Sequence, residues 1–147
     1  MPDGGHFVGD FNANFRPHGE GTRFRADGSE SASGEWRNGK LHGHRSKQTL
    51  LDGSRYEGDF VDGKHDGFGQ FTWPDGSVHA GEFDDDKMDG LGMRWDARGR
   101  LTHCGMWKDG ELTMSRPVPF GVVVDASLLS VKCESMAAQV VRVRRRL

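Results

Sequence analysis

Residues 53–75 read GSRYEGDFVDGKHDGFGQFTWPD, and this stretch decides the fold. Residues 55–60 alternate and carry aromatic side chains, Asp62-Gly63 is a turn dipeptide, residues 67–73 form a second extended run, and Pro74-Asp75-Gly76 turns the chain back. The unit is a β-hairpin. A lone hairpin is marginal in water and gains stability only from neighbours stacked beside it. The unit therefore has to recur, and it does. From Gly76 the chain continues GSVHAGEFDDDKMDGLGMRWDAR, with turns at matched places. The triplets Gly9-Asp10-Phe11, Gly34-Glu35-Trp36, Gly58-Asp59-Phe60, Gly81-Glu82-Phe83 and Gly105-Met106-Trp107 follow one another at spacings of 25, 24, 23 and 24 residues. A period of that length is the mark of a repeat array.

Five units follow: residues 4–27, 28–52, 53–75, 76–98 and 99–110. The expected fold class is all-β, a single elongated, twisted antiparallel sheet of stacked hairpins. Ten strands at ~4.8 Å each make a ribbon roughly 45 Å long. Glycines inside the strands let backbones approach and let the sheet coil. The fifth unit stops after Gly110 without a second strand and is expected to cap the array. The second unit carries an extra residue before Gly34 and reads His42-Gly43-His44-Arg45 where Gly-x-Gly is expected, so it should hold a bulge or a loosened strand.

Composition agrees. The 147 residues include 22 Gly and 5 Pro, too many for a helical bundle, and the hydrophobic share of 34% is partly offset by 14 aromatic residues with large buried areas. A formal charge of −2 gives no basic excess to hold nucleic acid. No apolar stretch reaches the ~20 residues of a membrane-spanning helix. Cys104 and Cys133 stand far apart without CxxC spacing, which excludes a disulfide framework or a Cys-rich zinc site and suits a reducing compartment. The N-terminal MPDGGHFVGD resembles neither a signal peptide nor an Arg-rich presequence. The expected location is cytoplasmic, or an organelle reached without a recognisable presequence. Charge divides near residue 111: the first 110 residues carry −5 and 21 of the glycines, and the remainder carries +3.

Motifs of chemistry fail on inspection. Residues 34–40 and 58–64 fit GxxxxGK, but Leu41 and His65 follow where a P-loop needs Ser or Thr for magnesium. Asp84-Asp85-Asp86-Lys87-Met88-Asp89-Gly90 has the carboxylate density of a calcium loop, yet the sixth and twelfth places from Asp84 hold Asp89 and Trp95 instead of Gly and Glu. His42-x-His44 could clamp a metal only together with a third ligand, and His18 and His42 stand at one repeat position before Gly, where a structural role is expected. No GxSxG, GxGxxG or HExxH occurs. The reading expects no catalytic residues, no cofactor and no metal, and a protein that is not an enzyme.

The pattern Tyr-x-Gly-[Asp/Glu]-[Phe/Trp]-x-x-Gly-Lys-x-x-Gly-x-Gly, carried by Tyr56, Gly58, Asp59, Phe60, Gly63, Lys64, Gly67 and Gly69, resembles the MORN repeat (membrane occupation and recognition nexus) over about residues 4–110. Phe7 and His79 stand at the tyrosine position in the first and fourth units. Arrays of this family serve as non-catalytic scaffolds in cilia and flagella, notably radial-spoke heads, in cytoskeletal collars, and as adaptors that grip a helix or strand. The resemblance implies a structural, protein-binding subunit of an axonemal or cytoskeletal assembly. Two alternatives stand beside it: an accessory subunit of an organellar complex, such as a mitochondrial one, and a peripheral lipid-binding adaptor. Self-association through open sheet edges is a further expectation.

Two features bear on partners. The periodic aromatics Phe11, Trp36, Phe60, Phe83 and Trp107 form a ladder on one face; it is either the core of a thin sheet or, with Tyr56, Trp73 and Trp95, the lining of an exposed groove. The groove reading assigns protein binding to Tyr56, Phe60, Trp73, Phe83, Trp95 and Trp107. After a linker at 111–124, residues 125–147 space Leu129, Cys133, Met136, Val140 and Val141 as an amphipathic helix does, although Val141-Arg142-Val143-Arg144 alternates like a strand. That segment either packs across the sheet in cis or offers Arg142, Arg144, Arg145 and Arg146 to anionic lipid or an acidic partner.

Overall fold

A computed structural model of the chain describes residues 4–115, which are strand and turn throughout. The strands are β1 (His6–Phe11), β2 (Pro17–Phe24), β3 (Glu30–Arg37), β4 (Lys40–Leu41), β5 (Gly43–Thr49), β6 (Arg55–Val61), β7 (Lys64–Thr72), β8 (Val78–Asp84), β9 (Lys87–Trp95), β10 (Leu101–Lys108) and β11 (Glu111–Ser115). They form one open antiparallel sheet in chain order, with only the short β4 off the path, paired to β3. The helix or extended tail expected over 125–147 lies outside the described residues.

Turn chemistry sets the two margins of the sheet. On one margin Asn38-Gly39, Asp62-Gly63, Asp85-Asp86 and Asp109-Gly110 all hold positive φ at both positions, the backbone of the two-residue turns whose twist matches the strands. On the other margin the Asp27, Asp52 and Asp75 carboxylates accept the N–H of the serine two residues on, at 2.8 Å each. In the fourth unit Arg98 stands at that place, and Asp96 takes over, accepting from Arg98 and Arg100.

Glycines of paired strands fall into one row: Gly9, Gly21 and Gly34, then Gly58, Gly69, Gly81, Gly92 and Gly105. The absence of Cβ leaves a trough in which the ring two residues before the leading glycine of the first, third and fourth units lies flat. A Cβ on Gly69 would fall inside the Tyr56 ring, one on Gly21 inside the Phe7 ring, and one on Gly92 would come within 2.7 Å of the His79 imidazole. The second unit breaks both halves of this arrangement together. Ser46 fills the glycine place between Gly34 and Gly58, and Ala32 stands where a ring would be. The irregularity anticipated there is a bulge between Gly43 and Ser46 with Arg45 at φ 55°, which shifts the register so that Ser46 reaches the row.

The acidic residue of each motif also has a structural task. Asp59 Oδ2 accepts the Phe68 N–H at 3.1 Å and Glu82 Oε2 accepts the Leu91 N–H at 2.7 Å, tying the Gly-x-Gly of one strand to the strand before it.

The main core cluster holds Ala32, Trp36, Leu41, Tyr56, Phe60 and Phe83, with Phe7, Phe71 and Met88 against it. A second cluster, Val78, Ala80, Met93 and Trp95, lies on the opposite face, because Val78 pairs Trp95 while His79 pairs Arg94. One row on that face runs Val8, Thr22, Ser33, Lys47, Glu57, Gln70, Ala80, Met93, Cys104.

The fifth unit corrects the expectation that it ends at Gly110. The chain turns at Asp109-Gly110 and returns as β11 along β10, with a bulge between Met106 and Trp107. Residues 111–115 are therefore strand and not linker. The returning strand carries no Gly-x-Gly, because Ser115 pairs Gly105 where the other units place glycine, and so it escapes a motif search.

Candidate interaction surface

The six aromatics expected to bind partners separate once placed. Tyr56 and Phe60 are 1% exposed, and Phe83 joins them in the main cluster, with ring centroids 5.1 Å from Tyr56 to each and near-perpendicular planes. Trp95 is buried in the second cluster on the other face. Trp107 is buried beside His79 at 4.8 Å. Trp73 is half-exposed, at the mouth of a shallow open cleft with Pro74, Asp75, Ser77 and Arg94. Arg142, Arg144, Arg145 and Arg146 lie outside the described residues.

Arg94 organises that end of the aromatic face. Its guanidinium stacks 4.7 Å from the Trp73 ring and 4.9 Å from the Trp107 ring, and its Nε has no hydrogen-bond partner among the described residues. Cation–π contact stands in for hydrogen bonding there, and burial lowers its pKa. A planar cation between two indoles at a cleft edge is a site able to take an aromatic or carboxylate side chain from a partner.

Four histidines serve the fold. Those of the repeat position, His18 and His42, accept the N–H of Asn38 and Asp62 at 3.3 and 3.2 Å through Nδ1, satisfying turn residues of the next unit. His65 stacks on Tyr56 at 3.7 Å, bonds Gln48 at 2.9 Å, and has its pKa lowered by burial against the pull of Asp86. His79 is fully buried, neither ring nitrogen has a hydrogen-bond partner among the described residues, and burial, with Arg94 adding to it, lowers its pKa to about 3.

That shift has a definite sign. An unfolded chain protonates His79 near 6.5 and the folded one only near 3, so between those values the unfolded state binds more protons. The neutral ring's contribution is complete above pH 6.5 and is lost as pH falls. Going from pH 7 to 5 should cost about 2 kcal/mol through His79 alone. His44 works the other way, its pKa raised by the Asp59 hydrogen bond. Comparing wild type with His79→Phe in urea titrations at both pH values cancels that opposing effect. The variant should lose less stability on acidification by about that amount; equal losses would refute the assignment.

Three exposed apolar side chains belong to the first unit, Val8 at 60%, Phe11 at 52% and Phe15 at 87%, and Leu51 in the second unit is 92% exposed; of these, sequence reasoning named only Phe11, as a member of the ladder. Phe15 sits at φ 57°, in a turn where Asn12 Oδ1 accepts the N–H of Asn14 and Arg16. The signal was present, since Phe15 directly precedes Arg16 as Gly39 precedes Lys40 and Gly63 precedes Lys64. A bulky apolar residue in a turn place suited to glycine holds an unfavourable backbone conformation. Four stretches of the chain, residues 7–30, 33–44, 56–78 and 79–99, match the MORN repeat family model, and together they cover more than half of it.

Proposed function

Because the chain belongs to the MORN repeat family, we propose that it is a non-catalytic structural subunit that binds other proteins along its sheet, within a larger assembly of the axonemal, radial-spoke or cytoskeletal kind. MORN repeats are consistent with a protein-interaction scaffold, and their all-β fold is typically non-catalytic. The observation that carries the reading is the exposure of Phe11 and Phe15 on and beside the edge strand β1. A strand edge with no neighbour among the described residues and solvent-facing apolar side chains together form a surface that favours a protein partner. Trp73 and Arg94 offer a second contact point, and Tyr56, Phe60, Phe83, Trp95 and Trp107 support these surfaces from within. The cytoplasm, at the cytoskeleton or in a cilium, is the location this function requires.

Crosslinking mass spectrometry on the tagged chain in a ciliary or cytoskeletal extract tests it. Wild type should recover a small set of proteins joined through Lys40 and Lys64. Phe11→Ser/Phe15→Ser should reduce that recovery by about tenfold or more, since hot-spot aromatics carry a few kcal/mol each. Recovery of the chain alone would end the scaffold reading. Recovery in a mitochondrial complex would move the assembly, and flotation with anionic vesicles that fails when Arg142, Arg144, Arg145 and Arg146 are replaced would move the function to lipid.

A further inference from the structure

The first two units depart from the later ones on the face opposite the aromatic rings. In the third and fourth units the motif carboxylates are spent inside the sheet, Asp59 on the Phe68 N–H and Glu82 on the Leu91 N–H. Their counterparts Asp10 and Glu35 bond no backbone N–H and meet no cation within ion-pair distance among the described residues. Glu20, at the middle of Gly19-Glu20-Gly21 where those later units carry Phe68 and Leu91, is equally unpaired among them. It pairs Glu35 directly across the strands, and Asp10 lies beside it, between the Gly9–Gly21 and Phe11–Pro17 pairs. All three are exposed. Like charges set opposite each other on a sheet repel. The cations nearest along that face turn elsewhere, Arg37 to His42 and Lys47 across from Glu57.

This uncompensated charge borders β1, beyond which no described strand lies. Alternation along β1 puts Val8 and Asp10 on the charged face and Phe7 and Phe11 on the aromatic one. There Phe11 meets Phe7 edge-on at 5.2 Å, and Phe7 meets Trp36 at the same distance, so the ring face runs out to the edge. The edge is acidic on one side and aromatic on the other. Resting on the reading that this edge is a partner contact, we infer that its occupant is an extended basic segment of another protein, added to β1 as a further strand. Its arginine or lysine side chains lie over Asp10 and toward Glu20, in the field of Glu35, and its alternate apolar side chains pack against Phe11. Charge complementarity selects this occupant. A second copy joined through β1 would set acid against acid.

Fluorescence anisotropy on the full chain, with a short labelled peptide alternating arginine and valine as the probe, tests the inference. Wild type should bind it, and binding should weaken several-fold from low to high salt as exposed charge pairs are screened. Asp10→Asn/Glu20→Gln/Glu35→Gln should bind about tenfold more weakly. That variant keeps its β-sheet circular dichroism, since it removes a repulsion and no support. Proline in place of the valines should abolish binding, because proline cannot pair within a sheet. Equal binding of the proline peptide, undiminished binding by the neutral variant, or no binding by wild type would each overturn the proposal. Two further outcomes also overturn it. Binding that appears only when Arg142, Arg144, Arg145 and Arg146 are replaced by glutamine would give the acidic face to the chain's own arginines, and a wild-type dimer that grows with salt would give β1 to a second copy. The scaffold reading fails separately: extract proteins lost by Phe11→Ser/Phe15→Ser yet retained by the neutral variant would leave the scaffold standing without this class of partner.

Discussion

Gly69→Ala should destabilise the array by about 3 kcal/mol, the cost of forcing a methyl into a filled site. The added Cβ would overlap the Tyr56 ring, and that ring has nowhere to go. Phe60 and Phe83 abut it edge-on at 5.1 Å, His65 stacks on it at 3.7 Å, and its hydroxyl donates to the Asp59 carbonyl at 3.1 Å. In a Tyr56→Ala background the same substitution should turn neutral or mildly stabilising, because alanine in a strand interior is favoured over glycine by roughly 0.5–1 kcal/mol. Urea titrations of the four proteins give a coupling energy of about 3 kcal/mol if the ring and the missing Cβ are one device. Equal costs in both backgrounds would show that Gly69 is needed for another reason. The chain already contains both changes: in its second unit Ala32 stands at the ring position and Ser46 at the glycine position between Gly34 and Gly58.

Trp95→Ala should cost about 3–5 kcal/mol, as large-to-small changes at a buried indole do. Trp95 is 1% exposed and packs with Val78, Ala80 and Met93 in the smaller cluster. Trp95→Phe should cost about a third as much, because the indole Nε1 has no hydrogen-bond partner among the described residues and its loss leaves none of them stranded. A denaturation series in which Phe is as damaging as Ala would mean that the nitrogen is bonded after all. If Ala costs less than 1 kcal/mol, the cluster is not a core.

The repeat was legible because its signals are local. Asp62-Gly63 specifies a turn, the 23-residue step from Gly58 to Gly81 specifies stacking, and both follow from two or three adjacent residues. What escaped depends on pairing across strands. Arg45 reads as a departure from Gly-x-Gly, and only the register shows that it bulges out so that Ser46 enters the glycine row between Gly34 and Gly58. Trp95 and Tyr56 look alike in a list of periodic aromatics, yet one strand's alternation puts them on opposite faces. The row that turns from Lys47 and Glu57 to Ala80 and Met93 is invisible along the chain, since each member is contributed by a different strand. The β11 strand was missed for the opposite reason: it keeps the turn and discards the motif.

The two margins of the ribbon are not equivalent mechanically. Along one, each tight turn reaches back to the unit before it: Gly39, Gly63, Asp86 and Gly110 donate their N–H to the carbonyls of Pro17, Leu41, His65 and Met88 at 2.8–2.9 Å. Along the other, the backbone bonds of each turn close on themselves, as Arg25 with Ser29, Leu50 with Ser54, Trp73 with Ser77 and Asp96 with Arg100 do. One edge is thus a spine of fixed pitch and the other a fringe. Such a strip opens more readily at the fringe, so its softest deformation is an in-plane curl toward the stitched side, where four short backbone bonds reinforce the ladders between strands.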